Sequence, residues 1–133
     1  MYKKFMLIGL TVISSLLLIN IALASKQPQT RKSVTNSNWE KRCGWFENPT
    51  PSNAWLVDKD GEWTIATQGG RQAEGDWPDF KPGQWVKTNV NYGYGCACME
   101  IKANHKTFEV AAIRNAKARP LAVCRKDRSL PKP

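Results

Sequence analysis

The sequence predicts a mostly β protein: one small antiparallel sheet, a barrel or sandwich of five or six strands, stapled by disulfides. Three observations carry that expectation. Short apolar runs alternate with clusters of turn-forming residues. No long amphipathic helical period occurs outside the first 24 residues. Four cysteines, Cys43, Cys96, Cys98 and Cys124, lie in a stretch too short to bury a large core.

The N-terminus comes first. Lys3 and Lys4 precede an apolar run from Phe5 to Ala24 that ends in Ala22-Leu23-Ala24. A basic start, an apolar centre and a small-x-small end together form a secretory signal, with cleavage expected before Ser25. The competing reading is a retained anchor, since an apolar run of about 20 residues spans a bilayer. Ser14, Ser15 and Asn20 weaken such a span. No cysteine follows the cleavage point, which argues against a lipoprotein anchor. The expected location is periplasmic or secreted, with no stable membrane span after cleavage. The remaining 109 residues, Ser25 to Pro133, suffice for one domain.

Residues 25–38 are polar and offer little to bury, so they read as a disordered lead. A single β domain is expected over 39–128, and the Pro-rich tail 129–133 is expected to be disordered. Within the domain, Asn53–Val57 is an apolar strand, Asp58-Lys59-Asp60-Gly61 a turn, and Glu62–Thr67 the returning strand. Gln68 to Pro82 carries Gly69, Gly70, Gly75, Pro78 and several acids and reads as a long loop. Gln84–Thr88 resumes strand character.

Tyr92–Lys102 is the clearest strand. Its parity puts Tyr92, Tyr94, Cys96 and Cys98 on one face and Gly93, Gly95, Ala97, Met99 and Ile101 on the other. A two-residue turn at Asn104-His105 then sets Ile101 against Phe108, Met99 against Val110 and Ala97 against Ala112, apolar on apolar each time. Leu121–Cys124 reads as a last short strand.

All four cysteines lie in the exported part, where disulfides persist. A bond between Cys96 and Cys98 would close too tight a ring. Two pairings remain: Cys43–Cys96 with Cys98–Cys124, which chain order favours, or Cys43–Cys98 with Cys96–Cys124. A zinc site using Cys96-x-Cys98 and His105 is the competing use, but the spacing is shorter than that of structural zinc knuckles. No metal and no cofactor are expected.

The formal charge is +9, and removing residues 1–24, which carry two lysines and no acid, leaves +7. Acids gather in the middle, from Asp58 to Asp79. The C-terminal stretch holds Arg114, Lys117, Arg119, Arg125, Lys126, Arg128 and Lys132 against Asp127 alone. Such a stretch suits an anionic partner, an envelope polymer or an acidic protein, or else serves only as a solvated tail. No aromatic is interleaved with these charges, so nucleic acid is not an expected partner.

Six tryptophans, Trp39, Trp45, Trp55, Trp63, Trp77 and Trp85, are many for this length. Most are expected in the core. Trp77, beside Gly75 and Pro78, is the expected exposed anchor. The carboxylates of Asp58, Asp60 and Glu62 alternate like part of a calcium loop, but no distal bidentate acid follows. Gln68, Arg71, Gln72, Glu74, Asp76 and Trp77 form the candidate binding loop, where glycines allow close approach and the side chains offer directional contacts. This loop lacks the Gly-Lys-Ser/Thr of a phosphate loop. Glu74 and Asp76 together match an acid–base pair only in type, and His105, alone in a turn, reads as solvated. No catalytic residue is assigned.

Several strings occur in order: Cys43-Gly44-Trp45-Phe46, Asn48-Pro49-Thr50-Pro51, Asn53-x-Trp55-Leu56, Gly61-Glu62-Trp63, Gln68-Gly69-Gly70, Gly93-Tyr94-Gly95-Cys96-Ala97-Cys98 and Arg119-Pro120-Leu121-Ala122-Val123-Cys124. Together, over Cys43 to Asp127, they resemble a family of small exported bacterial proteins known only as a domain of unknown function. The resemblance implies a bacterial envelope or secreted location and carries over no activity. The expected function is that of a non-enzymatic exported binding module for an envelope glycan or a protein. Its rivals are an inhibitor or immunity-type protein against an exported toxin or cell-wall hydrolase, and a small cell-wall hydrolase. The positive charge argues against basic lysozymes as inhibitor targets.

Overall fold

The structure, a computed structural model, describes residues 38–133. The expected signal and all but the last residue of the expected lead lie outside the described residues. Six strands follow: β1 (Glu40–Thr50), β2 (Asn53–Asp58), β3 (Gly61–Ala66), β4 (Trp85–Asn89), β5 (Tyr92–Asn104) and β6 (Glu109–Arg119), then one short helix, α1 (Leu121–Lys126). They form one sheet in the order β1-β2-β3-β6-β5-β4, and β1 also pairs with β5. The mostly β, disulfide-stapled sheet expected from the sequence is what forms. All pairings are antiparallel except β3–β6, a parallel contact at Thr64↔Glu109.

Alternation decides which side of each strand is buried. In β5, Gly93, Gly95, Ala97, Met99, Ile101 and Ala103 are all buried. They pack with Phe46, Leu56, Trp63, Ile65, Val110 and Ile113 as the main core. Gly95 is required there because a Cβ would strike the Phe80 ring, which lies against the core. The opposite face of β5 carries Tyr94, Cys96, Cys98 and Glu100. At one end of that face a second cluster forms, in which Trp45, Cys96 and Cys124 are buried beneath Leu121 and Leu130. Adjacent Trp45 and Phe46 are therefore both buried, each 2% exposed, because β1 is covered on both faces at that point.

β1 has no counterpart among the strands read from the sequence. Glu40, Lys41, Arg42, Glu47 and Pro49 hide its alternation, and Trp45 beside Phe46 breaks the period of two. Yet β1 runs through nine consecutive register pairs with β5, from Glu40↔Ile101 to Asn48↔Gly93.

Several expectations are corrected. The β5–β6 loop has four residues, His105 to Phe108, instead of two. Asn104 Oδ1 accepts the Lys106 N–H at 2.9 Å, an Asx-type turn that sets the longer loop. Ile101 faces Ile113, Ala103 faces Val110 and Ala97 faces Ala118, with irregularities at Cys98/Glu100 and Lys102/Ala103. These irregularities return Val110 and Ile113 to the core face at a spacing of three. Phe108 takes a positive φ of 55° and lies 4.7 Å from the Trp63 ring.

Leu121–Cys124 is helical, not a strand. Pro120 occupies the N-cap position, and Val123 N–H bonds back to its carbonyl at 2.9 Å. One turn sets Leu121 and Cys124 on the same side, facing the sheet. The tail 129–133, expected to be disordered, has no regular structure but is held: Trp45 Nε1 donates to the Pro131 carbonyl at 3.0 Å.

Chain order also favours the wrong disulfides. The bonds are Cys43–Cys98 and Cys96–Cys124. Cys43 lies directly opposite Cys98 in the β1–β5 register, whereas Cys96 faces Trp45. Cys96 is thus left for α1. With all four sulfurs bonded, no thiolate remains for the zinc alternative.

Candidate functional site

The segment that the sequence singles out, Gln68 to Trp77, is built into the scaffold. Its backbone fills the gap between β3 and β6. Ala73 N–H donates to Ile65 O at 2.8 Å, Glu74 N–H to Ala111 O at 3.0 Å, and Ile113 N–H to Glu74 O at 2.7 Å. Ala73 is buried, and Gly75 has a φ of +100° where a Cβ would meet the Ile113 carbonyl. The Arg71 guanidinium donates to the Val110 carbonyl. Trp77, expected as the exposed anchor, is half-buried with its ring 5.5 Å from Phe46, and its Nε1 is buried. Gln68, Gln72, Glu74 and Asp76 stay exposed, as expected of a loop. Trp63 is buried as expected, while Trp55 is half-buried and donates Nε1 to Glu47 Oε2 at 2.8 Å.

A polar knot gathers at the start of β1. Arg42 donates to Asp58 at 2.9 Å, Asp60 at 2.6 Å and Glu40 at 3.0 Å, and its guanidinium lies 4.0 Å from the Trp63 ring centre. Burial works against the Arg42 charge, but the bonds to Asp58, Asp60 and Glu40 outweigh it and hold its pKa above the ordinary arginine value. Asp58 is 6% exposed and uses its other oxygen to accept the N–H groups of Asp60 and Gly61. Two of the three carboxylates that resemble a calcium loop, those of Asp58 and Asp60, are therefore spent on Arg42 and on the turn itself. His105 sits in the β5–β6 loop, with Nε2 2.8 Å from Glu40 Oε1. That distance suits an ion pair when the imidazole is protonated, but no aligned hydrogen bond reaches this oxygen among the described residues. The knot joins β1, the β2–β3 turn and the β5–β6 loop.

The outer face beside α1 differs. The register places Cys43, Cys98 and Lys117 in one row across β1, β5 and β6, with Cys96 and Arg119 in the next. Lys41, Lys117 and Arg119 line a cleft of about 700 Å³ together with Glu100, Val123 and both cysteines of the Cys43–Cys98 bond. On the other side of α1, Arg125, Arg128 and Lys132 line a second cleft of about 490 Å³ with Tyr94 and Trp45. Among the described residues, none of Lys41, Lys117, Arg119, Arg125, Arg128 and Lys132 has a carboxylate at ion-pair distance.

The nearby acids are already engaged. Glu100 accepts Arg114 Nε at 2.6 Å, which holds its carboxyl below the usual range. Asp127 accepts the Ser129 hydroxyl at 2.6 Å and the Ser129 N–H at 2.9 Å, with the same effect. Arg114 also lies 4.2 Å from the Trp39 ring. The surface around α1 is thus an anion-attracting one with two concave openings. The basic run is visible in the sequence, but the part of Lys41 is not, because its place in the cleft with Lys117 depends on the unassigned strand β1.

The comparisons with known proteins bear on family alone. No curated protein and no solved structure gives a significant match to the chain. Residues 37–131 match one family, described as "Protein of unknown function (DUF4087)". Those residues take in every strand and α1, so the chain belongs to this family.

Proposed function

We propose that the domain is an exported, non-enzymatic binding module that holds an anionic envelope glycan on the basic face around α1. The observation that carries the reading is the pair of clefts flanking α1, each lined by cations without acid partners among the described residues, while the acid in each lining, Glu100 or Asp127, is held by Arg114 or Ser129. Two openings favour a polymer over a single small anion, since a chain laid across α1 reaches Lys117 and Arg119 on one side and Arg125 and Arg128 on the other. Tyr94, half-buried in the second cleft, offers a ring edge or face to a sugar. The two disulfides suit an oxidising compartment, and among the described residues no helix is long and apolar enough to cross a membrane.

Equilibrium binding to polygalacturonate and to neutral dextran of equal length tests the reading. Polygalacturonate should bind, dextran should not, and affinity should fall steeply with salt as screening shortens the reach of the field. Equal binding of both polymers, or none of either, overturns it.

A further inference from the structure

We propose that Cys43–Cys98 is a thiol-exchange site selective for anionic thiols, while Cys96–Cys124 is a structural bond. The two disulfides share one face of β5 but not one environment. Cys96 and Cys124 are 1% and 4% exposed, and Leu121, Leu130 and Tyr94 pack around their cluster. Cys43 is exposed, Cys98 is half-buried, and both open into the cleft with Lys41, Lys117 and Arg119. Attack on a disulfide requires access for a thiolate and a leaving sulfur whose negative charge is stabilised. Cys124 also edges the second basic cleft but is only 4% exposed, so Cys43–Cys98 alone offers both.

The chemistry follows from the register. An incoming thiolate attacks Sγ of Cys43, the more exposed residue of the pair. A bond forms between the thiol's sulfur and Cys43 Sγ, the Cys43–Cys98 bond breaks, and the electron pair leaves on Cys98 Sγ. Cys98 lies between Cys43 and Lys117 in the row across the sheet, so the new thiolate forms beside an ammonium. A second equivalent of thiolate attacks the mixed disulfide and releases the oxidised thiol, leaving two reduced cysteines on the protein. The two electrons come from two thiol molecules, and the protein's disulfide is the oxidant. β1 and β5 are joined by nine register pairs as well as by this bond.

The three cations outnumber the one lining acid, Glu100, which Arg114 already holds, and so give the site a charge preference. They concentrate an anionic thiol at the cleft, as any basic cleft concentrates anions. This inference uses cations that the proposed glycan would also meet, but it needs no glycan, so either can fail alone.

The test exposes the oxidised chain to mercaptoethanesulfonate, mercaptoethanol and cysteamine, which are anionic, neutral and cationic, at matched thiolate concentration. Acid quenching, alkylation and peptide mass mapping then follow the products. Expected are a first adduct on Cys43, then alkylated Cys43 and Cys98 with Cys96–Cys124 intact. The anionic thiol should react about tenfold faster than the cationic one at low salt, and the gap should close as salt rises. Lys117→Gln with Arg119→Gln should shrink the same gap. Opening of Cys96–Cys124 first, a first adduct on Cys98, or equal rates for the three thiols at low salt overturns the proposal.

Discussion

The segment from Gln68 to Asp76 and the segment from Lys117 to Lys132 are both polar, charged and mostly outside long regular elements, yet the fold uses them in opposite ways. The first gives its backbone to the sheet. Ala73 and Glu74 bond to β3 and β6, and Trp77 turns inward onto Phe46. In the second, Lys117 to Arg119 end β6 against β5, but beyond Arg119 the chain is fastened chiefly by the Cys96–Cys124 bond and the Trp45–Pro131 hydrogen bond, and the cations stay outside. Exposed polar side chains do not by themselves mark a working surface. The route of the backbone hydrogen bonds separates a wedge from a docking face.

The largest test of this contrast lies in the wedge. Gly75→Val should destabilise the domain by about 3–4 kcal/mol, since it combines a positive φ with a clash at the Ile113 carbonyl. Chemical denaturation measures it. An unchanged midpoint would mean that the wedge is not part of the scaffold. Trp77→Ala should cost slightly less, about 2–3 kcal/mol, because its ring is only half-buried against the core. An exposed binding anchor would instead lose no stability.

On the other segment the sign of the contrast reverses. Lys117→Glu with Arg119→Glu should change unfolding free energy by no more than about 0.5 kcal/mol. The same pair should weaken polygalacturonate binding about tenfold or more at low salt. A large stability loss with unchanged binding would exchange the roles of the two segments.

The smallest effect concerns pH. Arg114 holds the Glu100 carboxyl below its usual range. A carboxyl depressed in the folded state contributes stability above its unfolded pKa and loses it as pH falls through the folded one. Arg114→Gln should therefore move the Glu100 midpoint up toward the ordinary glutamate value, read by carboxyl chemical shift against pH. A midpoint that stays put would show that another group sets it.

The sequence made the sheet legible where alternation is clean. Tyr92 to Lys102 divides between core and outer face as its parity requires, and Asp58-Lys59-Asp60-Gly61 forms its turn. It misled where a long-range partner decides the outcome. The four-residue loop at the Asn104 turn and the irregularity at Lys102/Ala103 together shift the pairing of Ile101 from Phe108 to Ile113. The disulfides follow the register of β1 on β5, and β1 cannot be read from a segment in which Trp45 and Phe46 are both buried. Leu121–Cys124 is too short for its period to separate helix from strand. The basic C-terminal run was legible as charge, but its arrangement into two clefts depends on α1 being pinned to Cys96.

Mapping the bound polymer onto the sequence tests the central claim most directly. Backbone amide shifts would be followed as polygalacturonate is added to the oxidised domain. The account predicts changes centred on Lys41, Lys117, Arg119, Arg125 and Arg128, with Gln68 to Asp76 unmoved. Changes centred on Arg71, Gln72 and Glu74, with the residues around α1 unmoved, would contradict it.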